Sequence, residues 1–98
     1  MWLETITVRT PDLQRLEAHL PPLLEQLSKE APGLLLAVYS RHPTNSDLSL
    51  HLGHGGPQRE SSDQGLRLAA ALSRFGTVDH ALWRSIPIPR NGKETSYV

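Results

Sequence analysis

Residues 48–54 read LSLHLGH, and their alternation is the strongest indication of fold class in the chain. Every second residue from Leu48 to Leu52 is leucine, which is the period of two of a strand with one buried face. Ser49 and His51 occupy the positions between the leucines. The sequence therefore predicts a strand whose leucines face a core and whose histidine points the opposite way.

The preceding segment predicts the partner strand of a hairpin. Residues 34–41 carry apolar residues at alternate positions, and residues 43–47 read PTNSD, a run rich in turn-forming residues. If the turn centres on Asn45, facing residues have numbers that sum to about ninety. The predicted cross-strand pairs are then Tyr39 with His51 and Arg41 with Ser49.

The rest of the chain predicts two helices and two more strands. Thr10 and Pro11 are typical of a helix start, with Thr10 as the cap. Pro21 and Pro22 remove two amide donors, so a kink or two short helices are expected there. Further strands are predicted at 2–9 and 78–86, and helices at 13–27 and 66–75.

This β-α-β-β-α-β order is typical of an α+β, ferredoxin-like domain, with a four-stranded antiparallel sheet and both helices on one face. We expect residues 1–90 to form the domain and residues 91–98 to be a polar tail. The face without helices mixes polar and aromatic side chains and therefore needs a partner or a ligand. Its predicted members are Thr5, Thr7, Tyr39, Arg41, Ser49, His51 and Trp83.

Three stretches resemble the dimeric α/β-barrel superfamily, in its antibiotic-biosynthesis-monooxygenase-like branch. They are Ala31-Pro32-Gly33-Leu34, Val38-Tyr39-Ser40-Arg41 and the strand at 48–54. The resemblance implies a homodimer that packs two open sheet faces together and holds a small organic ligand. It also implies cofactor-independent oxidation or isomerisation as one use of such a pocket. The family often has tryptophan at the end of the third strand, where this chain has His54.

The candidate catalytic residues are His51, Tyr39 and Arg41, because an imidazole, a phenol and a guanidinium together bind and polarise an enol or a carboxylate. Candidate ligand-binding residues are Thr5, Thr7, Ser49, His54 and Trp83. Regular alternation places His54 on the leucine side of its strand, whereas a bulge at Gly53 would turn it to the other side.

The same residues have a second interpretation, as cross-strand packing pairs at a dimer interface. The chain would then be a non-catalytic assembly or regulatory module that uses the sheet face only for pairing. The sequence does not decide whether the protein is an enzyme.

Composition excludes several classes of function. Ten basic residues balance ten acidic ones, so neither nucleic acid nor an anionic membrane is an expected partner. There are no cysteines, which excludes disulfides and thiolate metal sites. The histidines do not follow a metal-ligand spacing, so neither a metal nor a cofactor is expected. The first residues lack a basic and apolar leader, and a cytoplasmic protein is expected.

Overall fold

The segments in which apolar residues alternate form the main sheet, and the segments with apolar residues at helical spacing form two helices. The structure, a computed structural model, describes residues 2–56, 60–90 and 93–96. Its strands are β1 Trp2–Arg9, β2 Leu35–Ser40, β3 Asp47–His54, β4 Thr77–Arg84, β5 Pro87–Arg90 and β6 Lys93–Ser96; its helices are α1 Leu13–Glu30 and α2 Asp63–Leu72. The predicted α+β class is confirmed.

The main sheet has four antiparallel strands in the order β2-β3-β1-β4. The first strand therefore lies inside the sheet, with β3 on one side and β4 on the other. This order and the two crossover helices are compatible with the predicted ferredoxin-like plan.

The core lies between one face of this sheet and both helices. Leu48, Leu50 and Leu52 are buried there, as their alternation predicts. Ile6 and Val8 of β1 lie beside them on the same face. The helices contribute Leu16, Leu20 and Leu27 of α1 and Leu68 and Leu72 of α2, and Phe75 joins the cluster from the segment after α2.

Helix α1 differs from the prediction at its start, and in its middle it does not divide into the two short helices that were one of the predicted alternatives. Asp12 is the cap, because its side chain accepts from the amide of Arg15, while the Thr10 hydroxyl accepts from the amide of Asp12. The helix runs on through Pro21 and Pro22 as one element, so two lost amide donors do not end it. Its buried leucines lie on both sides of the prolines and hold both halves on the sheet. In the described part of the chain, no helix is long and apolar enough to cross a membrane.

The end of the domain also differs from the prediction. Strand β4 ends at Arg84 rather than Ile86, and the following prolines belong to a short second strand pair. Strands β5 and β6 pair antiparallel, with Arg90 opposite Lys93. Residues 93–96 thus form a strand where the sequence predicts a polar tail, and the domain boundary at 90 stays a prediction. Residues 91, 92, 97 and 98 lie outside the described residues.

Replacing Leu50 with alanine tests the core. Leu50 is 1% exposed, at mid-strand beneath the helices, so we expect Leu50→Ala to lower the free energy of unfolding by about 2–5 kcal/mol. Leu66→Ala is the matched control, because Leu66 is 52% exposed on α2 and its loss should change stability by less than about 0.5 kcal/mol. Urea denaturation measures both, and equal midpoints for the two variants would contradict this position of the core.

Candidate functional site

The sheet face that carries no helix brings Tyr39 and His51 into contact. Their ring centroids are 4.6 Å apart and their planes are inclined by 54°. The strand register, however, pairs Tyr39 with Ser49 and His51 with Ala37. Both rings lie on the predicted face of the sheet. The predicted direct pairing of Tyr39 with His51 is wrong, because the register is shifted by two residues.

The register differs because the β2–β3 connection centres on Thr44 rather than Asn45. The amide of Arg41 donates to the carbonyl of Asp47 at 3.0 Å, which continues the same register past the end of β2. A shift of two residues keeps every side chain on its predicted face, since side chains alternate with a period of two. Tyr39 therefore reaches His51 as a diagonal neighbour.

Hydrogen bonds join the polar side chains of this open face. The Ser49 hydroxyl lies 3.0 Å from Nε2 of His51 and 3.3 Å from the Thr7 hydroxyl. Nearer β4, Nε1 of Trp83 donates to the Thr5 hydroxyl at 2.8 Å. The predicted ligand-binding residues Thr5, Thr7, Ser49 and Trp83 thus lie on one face, and each is fixed by a neighbour.

A cavity of about 320 Å³ lies on the open face beside the two rings. Tyr39 and His51 are its aromatic and polar members. The rest of its lining is apolar and consists of Leu3, Leu35, Leu36, Ala37 and Gly53.

Arg41 does not join this cavity. It lies beyond the end of β2, and its guanidinium donates to the Asp47 carboxylate at 3.3 Å, beside the bond from Arg9 to the same carboxylate. Hydrogen bonds from Arg9, and then from Arg41, lower the pKa of Asp47 despite the opposing effect of its desolvation. The predicted convergence of three groups therefore holds for the phenol and the imidazole and is wrong for the guanidinium.

His54 lies on the opposite, helix-covered face. It pairs with Trp2 in regular register, without a bulge at Gly53. Regular alternation therefore carries it to the same side as Leu52, and the alternative placement of His54 beside the open-face residues is wrong. Its ring stacks on the Trp2 indole, with centroids 4.1 Å apart and planes 16° from parallel.

The helix-covered face holds a cluster that the sequence analysis missed, centred on Glu4. This side chain is 0% exposed, on the central strand β1. One carboxylate oxygen accepts from Nε2 of His54 at 3.0 Å, and the other accepts from Nε2 of His80 at 2.6 Å. Ser62 donates its hydroxyl at 2.5 Å and its amide at 3.2 Å. We call these four residues the Glu4 cluster.

The cluster ties the start of α2 to the sheet. Ser62 is the cap of that helix, and its hydroxyl accepts from the amide of Gly65 at 2.9 Å while it donates to Glu4. Gly65 is required at this approach, because a Cβ there would stand only 2.0 Å from a Glu4 oxygen. The carboxylate thus lies against the first turn of α2, at the positive end of the helix dipole.

Burial and hydrogen bonding act on the Glu4 pKa in opposite directions. Desolvation raises it and is the largest single effect, whereas hydrogen bonds from Ser62, His80 and His54 lower it. The combined hydrogen bonds prevail, and the pKa of Glu4 is lowered from its ordinary value of 4.5. The carboxylate is therefore ionised at neutral pH although it has no contact with solvent.

The signal for this cluster was the same alternation that predicted the strands. Glu4 stands between Trp2 and Ile6 on the buried side of β1, where a charged residue needs partners. Its histidines lie on the two flanking strands, as diagonal neighbours on the same face. The sequence pattern was enough to predict on which side of its strand each of these residues lies. Their contacts also depend on the strand order, because β3 and β4 are the two neighbours of β1.

Within the described residues, no group of three His, Cys, Asp or Glu side chains forms a metal site. Comparison with protein-family models, with curated proteins and with solved structures finds no match to this chain. The two sites are therefore interpreted from their own geometry.

The acid stability of a Glu4→Gln variant tests the charged state of the cluster. Because the folded pKa of Glu4 is lowered, the stability gained from ionisation is complete above about pH 4.5 and is lost as the pH falls through the folded pKa. We expect Glu4→Gln to cost about 2–3 kcal/mol at pH 7 and progressively less towards pH 3. Urea denaturation across this pH range measures the difference.

Asp47 and Glu30 also have lowered pKa values, and both are present in the wild type and in the variant. Their effects therefore cancel in the difference between the two free energies of unfolding. Glu17→Gln, on the exposed side of α1, is the control and should show no such trend. A cost for Glu4→Gln that is the same at pH 7 and pH 3 would contradict an ionised Glu4.

Proposed function

We propose that this chain is a homodimeric α/β-barrel protein that binds a small organic ligand in the open-face cavity. The observation that carries the proposal is the cavity of about 320 Å³ with Tyr39 and His51 at its side. Small-molecule sites are commonly apolar hollows with a few convergent polar groups, and their volumes start at about 300 Å³.

The ligand class follows from the two rings. A phenol hydroxyl and an imidazole both exchange hydrogen bonds with hydroxyl or carbonyl oxygens, and the apolar lining favours a flat or hydrophobic body. Enols, phenols and quinone-like molecules combine these properties. Because Arg41 binds Asp47 outside the cavity, a neutral form of such a ligand is favoured over its anion. Cofactor-independent oxidation or isomerisation of that ligand is the enzymatic form of the proposal.

A second copy of the chain is the proposed cover of the open face. Leu35, Tyr39 and Trp83 are 61%, 57% and 56% exposed on it, which is unusual for large apolar side chains gathered on one surface. Four strands about 4.8 Å apart, three of eight residues and one of six, give a face of roughly 500 Å² at about 3.3 Å per residue. Two such faces reach the roughly 1,000 Å² at which a specific interface begins.

The charges of the face are compatible with self-association. Arg9 and Asp47 stand at one end of the sheet and bind each other, so neither needs a partner from the second copy. The apolar members of the face lie towards the opposite end, where Leu3 pairs with Trp83. Packing two copies face to face would close the open side of the cavity.

A second candidate function is the assembly module that uses this face only for pairing. The contact between Tyr39 and His51, and the bond from His51 to Ser49, favour it because they occupy both groups internally. Such a module forms the same dimer and binds none of the ligands.

Changing Leu35 to aspartate tests the dimer. We expect the wild-type protein to show a mass of about twice 10.9 kDa by light scattering at micromolar concentration, and Leu35→Asp to show the mass of one chain. A charge desolvated within an interface is costly, whereas Leu35 is exposed in the single chain.

Leu66→Asp is the control, because it places the same charge on an exposed position of α2 away from this face. It should leave the dimer intact. A wild-type mass of a single chain would contradict the assembly, and a dimer that persists in Leu35→Asp would place the interface elsewhere.

A thermal-shift screen tests the ligand with phenols and quinones as probes. We expect a binding compound to raise the melting temperature of wild type and of Arg41→Ala, whose guanidinium lies outside the cavity. The shift should vanish in His51→Ala. A shift that survives His51→Ala and vanishes in His54→Ala would place the ligand on the helix-covered face, and no shift from any compound would favour the assembly module.

A further inference from the structure

The Glu4 cluster places a carboxylate and two imidazoles where an apolar core would also be possible. A buried, hydrogen-bonded charge is often no more stabilising than well-packed apolar residues of similar size. The register neighbours of Glu4, Leu52 and Leu82, are both leucine, so the surroundings suit an apolar residue. Glycine favours a helix less than alanine does, and a Cβ at Gly65 would stand only 2.0 Å from a carboxylate oxygen. Stability alone does not account for this arrangement.

The carboxylate determines the protonation of both imidazoles. An ionised carboxylate only accepts hydrogen bonds, so Nε2 of His54 and Nε2 of His80 both carry hydrogen. In the neutral rings the other nitrogen, Nδ1, is then unprotonated and basic. Among the described residues neither Nδ1 has a hydrogen-bond partner, and the two side chains are 14% and 16% exposed.

We propose that His54 and His80, held by Glu4, form an acid–base centre on the helix-covered side of the sheet, which removes a proton from a small neutral molecule. A carboxylate that orients an imidazole and stabilises the imidazolium is the arrangement that activates histidine bases in many hydrolases. Here one carboxylate serves two imidazoles. Glu4 is the positioning residue, and the histidines are the groups that meet the ligand.

The charge of the cluster favours a neutral proton donor, such as a phenol, an enol or a carbon acid. With both rings neutral the cluster carries the single negative charge of Glu4, which repels anions. Proton uptake at Nδ1 creates an imidazolium whose Nε2 already points at that carboxylate, so the charge that forms in the reaction is neutralised within the site. The Trp2 indole on the face of His54 limits that ring to approach from its edge.

This centre does not depend on the function proposed for the open face. Its histidines lie on the other side of the sheet from Tyr39 and His51. Loss of the dimer or of the open-face ligand would leave the geometry of the Glu4 cluster unchanged, and the two proposals therefore fail separately.

A nitrobenzisoxazole is the probe for base activity. It is a neutral carbon acid, and the base takes the proton of its ring C–H bond. The electron pair of that bond forms a nitrile while the N–O bond breaks. The oxygen stays on the aromatic ring and becomes a coloured phenolate. No co-reactant is needed, and the proton returns from Nδ1 to water. Positioned bases give about 10²- to 10⁴-fold on natural substrates. For this probe we expect a rate at least about tenfold above that of the same concentration of free imidazole.

The variants separate a positioned base from exposed histidine. Glu4→Gln should lower the rate towards that of free imidazole. The two single variants His54→Ala and His80→Ala, and the variant that combines them, should do the same. His42→Ala removes an exposed histidine of the β2–β3 connection and should leave the rate unchanged. A wild-type rate no higher than free imidazole would overturn the proposal, as would equal rates in wild type and Glu4→Gln.

A measurement on the wild type covers the case in which Glu4→Gln does not fold. Nitrogen-15 NMR of the imidazole rings should show His54 and His80 as the tautomer with hydrogen on Nε2 at pH 7.5, and a folded Glu4→Gln should lose this fixed preference. Hydrogen on Nδ1 of both rings in the wild type would overturn the proposal. So would a rate that is abolished by EDTA, since it would assign the activity to a bound metal.

Discussion

A carboxylate buried beneath a helix must receive hydrogen bonds on both oxygens, and that requirement organises one end of this domain. Glu4 receives them from a histidine on each neighbouring strand and from Ser62, which begins α2. The strand order brings both histidines to the carboxylate, and the same two oxygens hold the start of the second helix and lie where a side chain at Gly65 would be. Towards the other end of the covered face the strands contribute apolar residues such as Leu48 and Val8.

The two faces of the sheet therefore arrange the same types of polar residue differently. On the covered face, polar groups are few, and within the described residues every fully buried side-chain nitrogen or oxygen has a hydrogen-bond partner. On the open face they are shared among Thr7, Ser49 and His51 and interrupted by large exposed apolar groups. The first pattern is typical of a preorganised polar site, and the second of a surface that becomes covered.

Apolar periodicity in the sequence was enough to predict the fold class, the two helices, the four strands of the main sheet and the side on which their residues lie. It placed Leu50 inside and His51 outside, and both predictions hold. It could not give the register of β2 on β3, because residues 41–46 allow more than one turn centre and both choices preserve the alternation. Nor could it show that Arg41 has Asp47 within reach, since that contact depends on the loop conformation. Glu4 lay within reach of the pattern, yet its partners come from strands 50 and 76 residues away and depend on strand order.

The close approach of Gly65 to Glu4 has an evolutionary consequence. A methyl group at position 65 would overlap the carboxylate at position 4, so alanine at 65 requires that the Glu4 side chain moves or is replaced. Lineages that exchange Glu4 for a short apolar residue become free to acquire alanine at 65 and gain helix stability. Lineages that keep the acid must keep the glycine. Positions 4 and 65, although 61 residues apart in the chain, should therefore covary in any set of descendants of this sequence.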